Sequence, residues 1–363
     1  MTVDRIIFVV IAIFAVIGGL DKIFGNRFGL GAAFEKGIFT MGPLLLTMSG
    51  MIVLAPVIAN LLSPVIIPTY KFIGADPAMF SGSFLACDMG GYSLASELGT
   101  SEEAIRFGGI IISSMLGVTI TFTVPVAMGM ISQNDRPFAA KGILCGILTI
   151  PIGGFVGGLL VGCKPLFVLH NLLPIIILSV IIAVGLWKAE RILIKIFTLF
   201  GKLMTAISIF GLICALIASM TDITLIKGMA PLSEAFLIVG EIAILLAGAF
   251  PLMHIITKLL NKPILKLGTL LGINNDSVNG LLTGLVNSIP VFDSIKDMDE
   301  KGKILNMAFA VSASFVFGDH LAFTAGVDSR AIMGLIVAKL TSGICALMLA
   351  LIITKRKNSI VEI

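Results

Sequence analysis

The sequence predicts an all-α integral membrane protein with about nine full spans and two broken, re-entrant hairpins. Three observations carry that prediction. Of 363 residues, 57% are hydrophobic and only 13% charged, with a mean hydropathy of +1.10, so there are too few charges to cover one water-soluble surface. Residues 37–70, 107–134, 142–163 and 165–187 carry no charge, and each run is long enough to cross about 30 Å of hydrocarbon as a helix. Finally, lysines and arginines are distributed among the connections in a way that sets a topology. Soluble enzymes, secreted disulfide scaffolds and nucleic-acid binders are excluded. The net charge of +4 records topology and implies no anionic partner. Cys87, Cys145, Cys163, Cys214 and Cys345 are scattered through apolar sequence without a C-x-x-C, which reads as reduced small hydrophobes and no metal or disulfide chemistry.

The N-terminus, Asp4-Arg5 followed by apolar residues to Leu20, has the outline of a signal peptide. Gly18-Gly19-Leu20-Asp21-Lys22 is not a small-x-small cleavage site, however, so the segment is read as a retained first span. Apolar segments of helical length then fall at residues 5–24, 39–62, 104–131, 139–162, 165–187, 193–219, 235–257, 302–327 and 331–354. Two stretches fit no span. Residues 63–97 are interrupted by Pro64, Pro68, Gly74 and Pro77, and residues 259–293 by Pro263, Gly268, Gly272 and Pro290; both are expected to form paired short helices.

If each broken stretch enters and leaves on the same side, most of the 25 lysines and arginines, including the terminal Lys355-Arg356-Lys357, lie inside, and only Arg5, Lys71, Arg106, Lys164, Lys227 and Arg330 lie outside; Lys202 and Lys339 remain within spans. This topology, with the N-terminus outside and the C-terminus inside, exposes a repeat. Residues 1–162 form a first half with its broken hairpin at 63–97, residues 163–192 link, and residues 193–363 form a second half with its hairpin at 259–293. At an offset of about 200, Asp76 meets Asp276, Ser83 meets Thr283, Leu85 meets Leu285, Tyr92 meets Phe292 and Ser114 meets Ser314. An odd linking span would place the halves in opposite orientations, the inverted-repeat plan of many secondary transporters. A chance coincidence of hydropathy is the alternative reading.

Two motifs carry a family resemblance. Ala75-Asp76-Pro77-Ala78-Met79-Phe80 followed by Leu85-Ala86-Cys87-Asp88-Met89-Gly90-Gly91-Tyr92, and Phe315-Val316-Phe317-Gly318-Asp319-His320-Leu321-Ala322-Phe323, resemble the EutH family of bacterial ethanolamine permeases, and the likeness in length and segment order covers essentially the whole chain. The resemblance implies import of ethanolamine across the bacterial cytoplasmic membrane to supply its degradation inside the cell, with no cofactor.

A carrier of a small amine needs an acceptor for the ammonium, which is mostly protonated at neutral pH, a polar partner for the hydroxyl, and optionally aromatic faces for cation–π attraction. Ionisable residues at membrane depth are costly unless paired or wetted, so each is a candidate. Asp88 lies in the first broken element beside Gly90-Gly91; it either binds the cation or caps a half-helix. Asp319 and His320 follow Gly318. Asp319 either holds the cation or pairs with His320 to join helices, and His320 either orients Asp319 or carries a proton. Asn287 and Ser288 stand opposite Cys87-Asp88 in the repeat and offer neutral polar groups for the hydroxyl end. Tyr92 and Phe292 occupy matching places and form either the facing walls of a cage or plain packing. Glu241 and Asp293 are carboxylates of the second half that bind substrate or face a basic loop. His254 and His170 read as structural residues.

The ladder Gly142, Gly146, Gly154, Gly158 and Gly162 marks close helix packing, within the bundle or between protomers of a homo-oligomer. Besides an alternating-access carrier, a channel-like facilitator remains open. An intramembrane aspartyl protease using Asp88 and Asp319 lacks its G-x-G-D context, because position 316 is Val316, and no H-E-x-x-H, G-x-S-x-G or phosphate loop is present.

Overall fold

The computed structural model describes residues 3–361, the side chains of residues 3–4, 260–265, 267, 269 and 355–361 excepted; the basic end Lys355-Arg356-Lys357 therefore lies outside the described side chains. Helices α1 (Val3–Ile23), α2 (Leu30–Phe39) and α3 (Met41–Ile73) lead into a hairpin of α4 (Ala78–Phe84) and α5 (Tyr92–Leu98), whose tip includes the π-turn Cys87–Gly91. Next come α6 (Glu102–Arg106), a widened π-helical run over Phe107–Gly117 and Thr119–Thr123, α7 (Val124–Met130), α8 (Arg136–Leu160) and α9 (Pro165–Lys188). The rest of the chain forms α10 (Glu190–Thr221), α11 (Leu232–Leu271), a second hairpin of α12 (Asn275–Gly284) and α13 (Ile289–Ser294), the half-helices α14 (Glu300–Ala313) and α15 (Asp319–Val327), and α16 (Ile332–Val361). Eight helices among the described residues are long and apolar enough to span a bilayer. The protein is an all-α multi-pass membrane protein.

The ninth expected span, 302–327, is where pattern and fold part. It is two half-helices, α14 and α15, joined by an unwound stretch at 314–318 in which Phe315 has φ +64°. Unwound backbone at membrane depth needs partners. The tip of the second hairpin supplies them: the Phe315 and Phe317 amides donate to the Gly284 and Leu285 carbonyls at 3.2 and 2.9 Å. Gly318 allows that approach, since a Cβ there would lie 2.1 Å from the Val286 carbonyl oxygen. The run over residues 107–123, by contrast, stays helical but wide, and its Ser113 hydroxyl donates to the Leu85 carbonyl at the first hairpin tip.

Both hairpins are shorter than expected. Helix α3 continues unbroken through Pro56, Pro64 and Pro68 to Ile73. The carbonyl of Asn60, which Pro64 cannot satisfy, accepts a hydrogen bond from the Ser63 hydroxyl at 3.3 Å. Helix α11 likewise passes Pro251 and Pro263. Polar groups close each hairpin at its base. The Asp76 carboxylate accepts from the Thr100 hydroxyl and from the amides of Ala78 (2.9 Å) and Thr100 (3.3 Å). In the second half, the Asn274 amide donates to Asp299 Oδ1 and its side chain to the Asp297 carbonyl, both at 2.9 Å, while Asp276 is exposed.

The glycine ladder serves contacts inside the chain. Added Cβ atoms at Gly142 and Gly146 would strike the Ile304 carbonyl oxygen (2.5 Å) and Val311 (2.4 Å) of α14, and one at Gly158 would meet Val168 of α9 at 2.9 Å. Gly162 lies beyond the end of α8, in a left-handed conformation with φ +98°.

Ion pairs tie the half-helix region together near its ends. Arg106, with its side chain 8% exposed, donates to Asp328 Oδ2 (2.8 Å), to Glu102 (2.9 Å) and to the Val161 carbonyl (3.0 Å). Lys303 of α14 donates to Asp135 Oδ1 at 2.6 Å, in the loop between α7 and α8. The Lys303 hydrogen bond, followed by one from Ser132, holds the Asp135 carboxyl below its ordinary value of 3.8 despite partial burial. A carboxyl whose folded pKa is depressed contributes stability above its unfolded pKa and loses it as pH falls through the folded value. Melting temperature in detergent should therefore drop as pH is lowered below about 4, and Asp135→Asn should shrink that acid-induced drop. An unchanged acid profile in the variant would refute the linkage.

Candidate cation-binding site

A cavity of about 670 Å³ lies between the two hairpin tips, the widened π-helical run, α3 and α10. Both halves of the chain line it. Pro43, Leu44 and Thr47 come from α3 and Thr198, Gly201, Lys202 and Thr205 from α10, while Asp88, Thr121, Phe122, Asn287, Phe315, Asp319 and His320 come from the hairpins and interrupted helices.

The first tip is built around Gly90, whose φ of +95° lies in the left-handed region that an L side chain rarely adopts; with Met89 also non-helical, the turn Cys87–Gly91 presents Asp88 to the cavity. Asp319 begins α15 directly after the unwound stretch. Asp319 thus lies in the first turn of a helix, where the positive end of the backbone dipole favours an anion, whereas Asp88 sits on the kinked turn at the hairpin tip. Neither acts as a side-chain cap of its segment, and both are half-buried. They are close enough to interact electrostatically. Asp319 has no hydrogen-bond partner among the described residues.

His320, 2% exposed, and Lys339 of α16, fully buried, stand behind Asp88. Lys339 Nζ donates to the Ser114 carbonyl at 2.5 Å, lies 3.2 Å from His320 Nδ1, and interacts electrostatically with Asp88 and Cys87. The donor atoms of Cys87, Asp88 and His320 gather within 4.8 Å of one another, a set able in principle to hold a metal ion. The set does not fit a metal, because Lys339 already brings a positive charge to the cluster and engages one imidazole nitrogen. Two carboxylates face this end of the cavity; the buried Lys339 interacts with Asp88, Lys36 interacts with Asp319, and Lys202, on the α10 side of the lining, is exposed.

Aromatic faces line the cavity, from residues other than the expected pair. Phe122 and Phe315 meet edge to face at 5.7 Å, and Phe315 lies 5.2 Å from the His320 ring. Tyr92 instead packs edge-on against Phe323 at 6.0 Å, and Phe292 is buried in the core; neither lines the cavity. Asn287 is on the wall, its Oδ1 accepting from the Ile289 amide at 2.8 Å, which leaves its NH₂ for a ligand. Ser288 is fully buried with an unpartnered hydroxyl. Glu241 is exposed and faces Gly326 of α15 outside the cavity lining, and Asp293 is exposed. The structure therefore brings together Asp88, Asn287, Asp319 and His320 and leaves Tyr92, Ser288, Phe292 and Glu241 elsewhere. Sequence reasoning missed Lys339, Phe122 and Phe315.

The family described as "Ethanolamine utilisation protein, EutH" matches residues 3–353. The chain belongs to the EutH family. A "Probable ethanolamine permease EutH" of Listeria monocytogenes is 49% identical over 98% of this chain and 95% of its own length. The Escherichia coli protein of the same name is 38% identical over 99% of this chain and 97% of its own, and the "Uncharacterized protein YxeR" of Bacillus subtilis is 43% identical over 95% and 94%. No solved structure matches the chain. This EutH-family member is a multi-pass protein of the bacterial cytoplasmic membrane, and its named relatives are permeases, not enzymes.

Proposed function

We propose that the protein imports protonated ethanolamine across the cytoplasmic membrane by alternating access around the cavity between its two halves. The observation that carries this reading is the pair of half-buried carboxylates, Asp88 and Asp319, facing one cavity, with Asp319 lacking any hydrogen-bond partner among the described residues. A carboxylate at membrane depth without a hydrogen-bond partner is costly, and a monovalent cation relieves it. The Phe122 and Phe315 faces add cation–π attraction for that ammonium. Asn287 and His320 offer polar atoms for the hydroxyl end. The relatives named "Probable ethanolamine permease EutH" point to a substrate of this charge and shape.

Alternating access is supported by the walls, which come from both halves, and by the element order. Two spanning stretches, a hairpin, an interrupted helix and a closing span occur before α9 and again after it. For a cation the membrane potential alone supplies about 2.3 kcal/mol per 100 mV, roughly a fiftyfold gradient, so proton coupling is not required. The site reading is tested by equilibrium binding of labelled ethanolamine to the purified protein in detergent. Saturable binding that Asp319→Asn reduces by at least about tenfold is expected, since a lost charge-assisted contact costs over about 1.4 kcal/mol. Unaltered affinity in that variant would move the cation away from the cavity.

A further inference from the structure

Lys339 is a fully buried lysine in a membrane helix, and the substrate's cation is held by carboxylates, so its charge is not needed to attract anything. Its geometry suggests another task. Nζ donates to the Ser114 carbonyl and stands 3.2 Å from His320 Nδ1. An ammonium has donors and no acceptor, so it can only meet an imidazole nitrogen that carries a lone pair. With Lys339 kept as an ammonium by its interaction with Asp88, Nδ1 is the unprotonated nitrogen, and in the neutral ring the proton sits on Nε2. Nε2 has no hydrogen-bond partner among the described residues, and the ring lines the cavity against Phe315.

Resting on the proposed ethanolamine site, we infer that Lys339 is a positioning residue that fixes the His320 tautomer, and that His320 Nε2–H donates to the substrate's hydroxyl oxygen. His320 thereby becomes a specificity residue for amino alcohols over alkylamines. n-Propylamine is nearly isosteric with ethanolamine and equally cationic, but places a methyl group where the hydroxyl would be. It leaves the Nε2 donor unpaired in a half-dry cavity, and such an unmade hydrogen bond is what separates the two amines. Without Lys339 the ring is free to place its proton on Nδ1 and turn a lone pair toward the cavity.

The test is competition of unlabelled ethanolamine and unlabelled n-propylamine against labelled ethanolamine uptake into liposomes containing the purified protein. In the wild-type protein ethanolamine should compete about tenfold or more better than n-propylamine. In Lys339→Met that preference should fall to within about threefold, and in His320→Leu likewise, while His320→Gln, which restores an amide donor near the Nε2 position, should recover much of it. A merely structural lysine would lower total uptake and leave the ratio of the two amines unchanged. If Lys339→Met does not fold, His320→Leu decides, because Lys339 there keeps its bond to Ser114. An undiminished preference in a folded variant, or no preference in the wild type, overturns the inference while leaving ethanolamine transport standing. Absence of any ethanolamine uptake by the wild-type protein overturns the transport reading itself.

Discussion

Replacing Asp88 by asparagine should reduce the initial rate of ethanolamine uptake by about 100-fold or more while the protein still folds. The carboxylate lies on the kinked turn at the first hairpin tip, on the wall of the cavity that Asp319 also lines. Removing one partner of a desolvated charge pair costs about 3–5 kcal/mol, which is about two to nearly four orders of magnitude in occupancy. The loss has two sources: the ammonium loses a counter-charge, and Lys339, which interacts with Asp88 from behind, is left uncompensated in the site. Asparagine keeps the shape of the side chain, so the elution profile and helical content should match the wild type. Uptake within about threefold of wild type, in a folded Asp88→Asn protein, would remove Asp88 from the site.

The second large effect is on stability and lies outside the cavity. Arg106→Gln should destabilise the protein by about 3 kcal/mol, read as a lower melting temperature in detergent. Arg106 joins three places that are far apart in sequence: Glu102 in its own helix, the Val161 carbonyl beyond α8, and Asp328 between α15 and α16. Burial by itself would raise the Asp328 carboxyl, but hydrogen bonds from Arg330 and Arg106 hold it below the ordinary carboxylate value, so it is an anion that depends on its partners. Arg330→Gln is the comparison: its side chain is 60% exposed against 8% for Arg106, so solvent screens its share of the contact with Asp328 and the loss should be the smaller of the two. Equal melting temperatures for Arg106→Gln and wild type would show that the network is decorative.

Much of the candidate site was legible because ionisable residues in apolar sequence are conspicuous. Asp88, Asp319 and His320 were found on that ground, and Asn287 through the offset between the halves. Lys339 was visible as a lysine within a span but could not be assigned a partner: its hydrogen bonds reach Ser114 and His320, 225 and 19 positions away, and only the packing of α16 against the π-helical run joins them. Phe122 and Phe315 are two of 24 phenylalanines, and nothing in periodicity separates a cavity wall from lipid-facing packing. Tyr92 and Phe292 were paired by the offset of about 200, yet they do not face one space: Tyr92 packs on Phe323, and Phe292 is buried in the core. The break at 314–318 was hidden as well. Its residues are as apolar as a span, and it unwinds because the amides of Phe315 and Phe317 find carbonyls on a different element. The opposite error occurred in α3, where Pro64 and Pro68 read as breaks but the helix continues, helped by the Ser63 hydroxyl.

The central claim is that this cavity carries a cation across the membrane. Its most direct measurement is uptake of labelled ethanolamine into liposomes containing the purified protein, with an inside-negative potential imposed and no pH gradient. The account predicts saturable accumulation above equilibrium, approaching the roughly fiftyfold limit at 100 mV, and its collapse when the potential is dissipated. Equilibration without saturation would contradict alternating access and make the protein a facilitator, and accumulation only after a pH gradient was added would contradict transport driven by the charge of the amine alone.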